Sequence, residues 1–239
     1  MIKNFYKKLG AGLALFTVEL LFIWLLFIIC IIVFFYLSSE IIAGDKLGLD
    51  DAAFSFAAGI TTPTLTAVME VITFFASRQF LTPAALLLIA YFIFVRRHRW
   101  YSLKVPVVAL GSITLNLVLK FFFDRPRPLM PLVETSGLSF PSGHSMVAAS
   151  FYGLIIHIVW KNVASLVWRY TLSALLVMFI LLIGFSRVYL RVHYATDVLA
   201  GFAAGLLWVI IGIGVLRRME KFSKKELAPV VEEDMPTGK

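Results

Sequence analysis

The stretch LALFTVELLFIWLLFIICIIVFFYL, residues 13–37, decides the architecture. It is apolar on every helical face, with Glu19 as its single charge, and it is long enough to cross a hydrocarbon core about 30 Å thick. It also exceeds the roughly 7–15 apolar residues of a cleavable signal, and no small-x-small site closes it. The run therefore reads as a retained first membrane span, preceded by the basic segment Met1 to Lys8.

The rest of the chain repeats that pattern. Further apolar runs fall at about 80–96, 105–123, 144–160, 170–186 and 197–216, giving six spans. Of the 239 residues 60% are hydrophobic, and the mean hydropathy of +0.91 is too high for a soluble single-core domain. The sequence thus predicts an all-α, polytopic membrane protein: a six-transmembrane-helix bundle forming one domain over residues 1–239. The formal charge of +8 suits loops beside anionic lipid and gives no reason to expect nucleic acid. Cys30 is the only cysteine, so no intramolecular disulfide exists.

Charge asymmetry orients the bundle. With both termini cytoplasmic, Lys3, Lys7, Lys8, Arg96, Arg97, Arg99, Lys104, Lys161, Arg169, Arg217, Arg218, Lys221, Lys224, Lys225 and Lys239 fall inside. The outer segments keep Lys46, Arg78, Lys120, Arg125, Arg127, Arg187 and Arg191. Segment 51–76 mixes Phe54, Phe56, Ile60, Val68 and Phe74 with Asp51, Glu70 and several threonines. A seventh span there would place Arg96–Lys104 on the wrong side, so 38–79 is expected to be an outer-face interfacial helical element. The tail 223–239 is polar and charged, and is expected to be a disordered cytoplasmic extension.

Most outer cations lie in three short stretches. The first is Lys120-Phe121-Phe122-Phe123-Asp124-Arg125-Pro126-Arg127-Pro128. The second is Pro141-Ser142-Gly143-His144, and the third is Ser186-Arg187 followed by His193 and Asp197. A charge at membrane depth costs roughly 2.5–3.5 kcal/mol even on lenient scales, so such groups need a functional reason. Lys120 and Arg127 are two helical turns apart and share a face if the helix continues, with Arg125 pointing roughly 140° away. Snorkelling cations at a boundary are the alternative. Ser142 and Gly143 open an apolar helix, where free amides and a close-approach glycine make an anion seat; a simple capped helix is the alternative. His193 and Asp197 stand i, i+4, so the carboxylate can fix one ring nitrogen and leave the other as a nucleophile. A structural pair is the alternative, as is a metal site recruiting His144, which the surrounding cations would disfavour. His98 and His157 read as structural.

Taken together, in order and at this spacing, the stretches resemble the type 2 phosphatidic acid phosphatase superfamily: K-x6-R-P, then P-S-G-H, then S-R-x5-H-x3-D. The matching region spans about 80–216. That resemblance implies a six-helix membrane phosphatase with no cofactor and no metal. It implies His193 as nucleophile, Asp197 as its orienter and His144 as general acid and then base. Lys120, Arg127, Ser142, Gly143 and Arg187 would hold the phosphoryl group. The layout is nearest the bacterial branch acting on phosphatidylglycerol phosphate, undecaprenyl pyrophosphate or phosphatidic acid, with a lipid phosphotransferase as the alternative. The expected partners are a membrane lipid and the bilayer, with no obligatory protein partner. Arg191 and Ala195 stand where many relatives have glycine and proline, which bears on substrate preference.

Overall fold

The computed structural model describes residues 2–44 and 48–224. Lys46 and the predicted tail from residue 225 onward lie outside the described residues. Eight α-helices are seen: α1 (Ile2–Ala43), α2 (Gly48–Gly59), α3 (Pro63–Phe74), α4 (Arg78–Ala90), α5 (Arg99–Phe123), α6 (Gly143–Asn162), α7 (Leu166–Tyr189) and α8 (Ala195–Phe222). A single wider turn, Tyr91–Val95, extends α4. Among the described residues there are no strands.

Local chemistry sets the helix starts. Thr62, Ser77, Ser142 and Ser165 each accept a backbone N–H from the first turn of α3, α4, α6 and α7, satisfying a donor the helix cannot. Pro63 follows Thr62 at the first helical position, where its missing N–H costs nothing. His98 caps α5 through Nδ1, 3.4 Å from the Tyr101 amide, which gives this histidine its structural place.

Six helical stretches are long and apolar enough to cross a bilayer: Leu20–Ala43, Pro63–Val95, Arg99–Phe123, Gly143–Asn162, Leu166–Tyr189 and Ala195–Phe222. Large apolar side chains such as Phe22, Phe35, Leu87, Phe94, Leu110 and Leu181 point outward from them. Surrounded by hydrocarbon rather than water, such an exterior costs nothing. The interior is built from small residues. Gly201 on α8 lies so close to α6 that a Cβ there would stand 2.7 Å from the Ser142 carbonyl oxygen. Ser150 on α6 donates to Ser112 on α5 at 2.8 Å, a buried interhelical bond worth about 0.6 kcal/mol. On the other side, Ala148, Ala149 and Tyr152 of α6 meet Ile180 and Ile183 of α7. Leu37 of α1 packs with Phe140 and Ala200.

The second candidate span runs Pro63–Val95 by length and composition, and its part from Arg78 to Val95 is the apolar run expected at about 80–96. The chain breaks at Phe75–Ser77, where Ser77 caps a new helix, so α3 and α4 are separate elements. The helices α2 and α3 have 12 residues each, about 18 Å, too short to span alone. Both gather at the end of the bundle that holds loops 124–142 and 190–194. There the Tyr189 hydroxyl accepts from the Thr62 amide at 3.1 Å, and Met69 packs on Tyr189, Leu190 and Val192. At the opposite end the chain is still helical at Lys224, whose Nζ lies 2.9 Å from Glu220, so residues 223 and 224 do not belong to the disordered extension expected there.

Candidate active site

Helix α5 stops two residues before the Arg-Pro steps. Asp124 takes a left-handed conformation (φ 46°) as its C-cap, so Lys120 and Arg127 do not share a helix face. The loop brings them together instead. It folds back with Ser139 N donating to the Arg125 carbonyl at 2.8 Å, and Lys120 Nζ donates to the carbonyls of Leu138 and Ser139. Arg127 is tied down by Gly137 O at 3.0 Å and Val192 O at 3.1 Å. Each cation is thus held by backbone carbonyls and keeps N–H groups free.

A cleft of about 860 Å³ opens beside them. Lys120, Arg127, Gly143, His144, Arg187 and His193 all line it, so six of the eight sequence-predicted residues converge. The other two stand behind its wall. The Ser142 hydroxyl is fully buried and accepts from Ser145 Oγ at 2.9 Å and Ser145 N at 3.5 Å, capping α6. Asp197, also fully buried, faces His193 from the rear. Toward the bundle the cleft continues between α4 and α5, along Leu81, Ala85, Leu86, Ile89, Leu110, Ile113 and Leu117, an apolar channel attached to a cationic seat.

Arg187, 7% exposed, is held by Nη1 donating to Thr73 Oγ1 at 2.7 Å, while its buried Nε has no partner among the described residues. An orphaned guanidinium N–H in a buried site is costly unless a ligand satisfies it. The α6 start adds the amides of Gly143 and His144, and the Asn116 side chain donates to Pro141 O at 3.2 Å to hold this turn.

The His193 Nδ1 lies 3.4 Å from Asp197 Oδ2 and 3.4 Å from Ser139 Oγ, which leaves Nε2 as the nitrogen presented to the cleft. The carboxylate is itself fixed: Oδ2 accepts from Ser139 Oγ and from Tyr194 N (2.9 Å), and Oδ1 accepts from Arg125 Nη1 at 2.6 Å. As the third residue of α8, Asp197 also sits where the helix dipole favours negative charge. Burial pushes the His193 imidazole down to about 4; Asp197 opposes that shift, and Arg187 and Arg127 add to it. The ring is therefore neutral at pH 7, with a free lone pair on Nε2. A neutral imidazole, a second histidine across the cleft and three cations can together accept, hold and pass on a phosphoryl group. Among the described residues, no three His, Cys, Asp or Glu side chains group as metal ligands.

Sequence reasoning missed Ser139, Thr73, Asn116, Arg125 and Asp50 as parts of this site. Only Arg125 carried a local signal, the doubled Arg-Pro step; the others meet the site across long sequence separations.

A bundle of lipid-exposed helices around a cationic, histidine-bearing cleft defines a membrane protein built to handle a phosphorylated amphiphile. Comparison with known proteins agrees. Residues 101–220 match the PAP2 superfamily. Phosphatidylglycerophosphatase B of Bacillus subtilis is 36% identical over 194 residues, covering 80% of this chain and 95% of that protein. The undecaprenyl-diphosphatase BcrC of the same organism is 28% identical over 156 residues, 62% of this chain and 73% of that one. The crystal structure of a transmembrane PAP2-type phosphatidylglycerolphosphate phosphatase from Bacillus subtilis superposes with a TM-score of 0.73 at 33% identity, covering 82% of this chain and 98% of that one. Aquifex aeolicus LpxE superposes at 0.53 with 26% identity, over 67% and 92% of the two chains. The chain belongs to the PAP2 superfamily, among its membrane-embedded lipid phosphate phosphatases.

Proposed function

We propose that this protein hydrolyses lipid phosphates or pyrophosphates through a phosphohistidine on His193, at the outer face of the cell membrane. The observation that carries the reading is the cleft itself, where an apolar channel between α4 and α5 leads into Lys120, Arg127, Arg187, His144 and His193. A phosphorylated lipid enters sideways, its chains remaining beside α4 and α5 and its head reaching the cations. Arg187, Arg127 and Lys120 neutralise the charge on the equatorial oxygens, together with the amides of Gly143 and His144. Ser142, buried behind them, holds this turn and keeps a hydroxyl proton to offer. His193 Nε2 attacks in line, Asp197 stabilises the resulting imidazolium, and His144 protonates the departing oxygen. Water activated by His144 then releases phosphate, in a reaction that uses no metal.

Orientation rests on charge. Arg96, Arg97, Arg99, Lys161, Arg169, Arg217 and Arg218 lie at the end of the bundle opposite the site, which the positive-inside tendency places in the cytoplasm. The names of the relatives make phosphatidylglycerol phosphate and undecaprenyl pyrophosphate the first substrates to compare, with phosphatidic acid third. Purified protein given each lipid in detergent should release inorganic phosphate equally well in excess EDTA. An acid-labile label should be trapped on wild-type protein and be absent from His193→Ala. Chelator-sensitive turnover, or label retained by that variant, would refute the mechanism.

A further inference from the structure

Arg125 is a guanidinium beside the site that never enters the cleft. Its Nη1 donates to Asp197 Oδ1 at 2.6 Å and to Thr196 Oγ1 at 2.8 Å, while Nη2 donates to Asp50 Oδ2 at 3.0 Å. The guanidinium plane lies over the Tyr194 ring, 4.0 Å from its centroid, which fixes its height and tilt. Asp50 comes from α2, a helix with no other tie to the chemistry. It is buried, and both its oxygens are occupied: Thr196 N donates to Oδ1 and Thr196 Oγ1 to Oδ2, each at 2.9 Å. A buried carboxylate is expensive without such partners. Here every partner sits within one residue of Asp197 or is Arg125 itself.

We propose that Asp50 and Arg125 form a positioning relay that sets both the orientation and the effective charge of Asp197, and through it the reactivity of His193. The inference rests on His193 being the nucleophile. Asp50, Arg125 and Asp197 carry one net negative charge between them, one counter-charge for the imidazolium that forms on attack. If Arg125 is removed, two carboxylates face the ring. If Asp50 is removed, Arg125 belongs wholly to Asp197 and cancels its charge. The two losses therefore push His193 in opposite directions, which damage to packing alone does not do. The other groups facing the ring stay constant in both cases: Arg187 from α7, Arg127 and Ser139 from the loop, His144 from α6 and Lys120 from α5.

The test is the pH profile of kcat/KM for Arg125→Gln, Arg125→Lys and Asp50→Asn, with short-chain phosphatidic acid in detergent. Arg125→Gln should lower kcat about 10–100-fold, in the range seen when an outer hydrogen-bond partner is lost elsewhere. KM and inhibition by inorganic phosphate should change little. Its acid limb should move up by about half a unit or more, and that of Asp50→Asn should move down. Arg125→Lys, which keeps the charge but cannot bridge both carboxylates, should return the limb toward wild type with kcat only partly restored. Should Arg125→Gln fail to fold, Asp50→Asn and Arg125→Lys decide the matter: the first must move the limb down while the second, its charge unchanged, leaves it near wild type. Limbs that stay fixed, or move the same way in Arg125→Gln and Asp50→Asn, overturn the relay. So does a tenfold rise in the phosphate inhibition constant, which would make Arg125 a phosphate ligand. All three variants should still trap label on His193, more slowly; label trapped elsewhere would instead sink the phosphohistidine reading.

Discussion

Replacing Arg187 by lysine tests the phosphate seat most directly, because it keeps the charge and removes only the geometry. The guanidinium is anchored at one corner by Thr73 and lines the cleft, with its buried Nε unpartnered among the described residues. A lysine at this depth cannot hold Thr73 and offer two parallel donors at once. The loss is therefore one charge-assisted hydrogen bond, about 1.5–3 kcal/mol. At about 1.36 kcal/mol per decade, that is a fall in kcat/KM of roughly 10–150-fold. Phosphate release from detergent-solubilised lipid measures it, and the inhibition constant of vanadate, which adopts the five-coordinate geometry, should rise by a similar factor. Thr73→Val should lose less, since it loosens the anchor without removing the donors. Activity within threefold of wild type in Arg187→Lys, or a vanadate constant that does not move, would show that Arg187 does not grip the transferring group.

His144→Ala should lose about 10²–10⁴-fold on an alkyl lipid phosphate but far less on an aryl phosphate, whose leaving oxygen needs no proton; equal losses would remove His144 from the acid role. His193 carries a pH signature in stability. Its folded value of about 4 lies below the unfolded value near 6.5, so the unfolded chain takes up the proton first as pH falls. Its contribution is complete above about pH 6.5 and declines toward pH 4, by about 3 kcal/mol at most. The melting temperature of His193→Gln in detergent should therefore fall less between pH 7 and pH 4.5 than that of wild type; parallel curves would contradict this. Gly201→Ala should cost about 1–3 kcal/mol by driving a methyl against the Ser142 carbonyl, seen as a lower melting temperature together with reduced activity; an unchanged protein would mean that α6 and α8 separate freely.

The six spans were legible because hydropathy reports on lipid contact, and Phe22, Leu87 and Leu181 are more than half exposed on the outside of the bundle. The three motif stretches were legible because Ser142 opens a helix and the short spacing of His193 and Asp197 keeps them together, although His193 lies in the turn before the α8 cap Tyr194 and not on the helix face the spacing suggested. The pairing of Lys120 with Arg127 was anticipated for a reason that does not hold. Helix phase was expected to align them, whereas the left-handed turn at Asp124 ends α5 and a loop folding back on Arg125 does the work. Asp50 and Thr73 could not be read at all. Each reaches the site from an outlying helix across 75 or more positions, and no periodicity records which side chain waits at the far end.

The order in which these pieces leave the ribosome has a consequence of its own. Asp50, Arg125, Lys120 and Arg127 are all made before α6, yet His193 and Asp197, the imidazole and carboxylate of the proposed mechanism, arrive only with the last loop and α8. Gly201 and Gly205 of α8 lie against α6, and it is the start of α8 that supplies Thr196 and Asp197 to the Arg125 guanidinium. On the proposed mechanism, a chain that ends before this point has the phosphate-binding cations and neither the nucleophile nor its carboxylate.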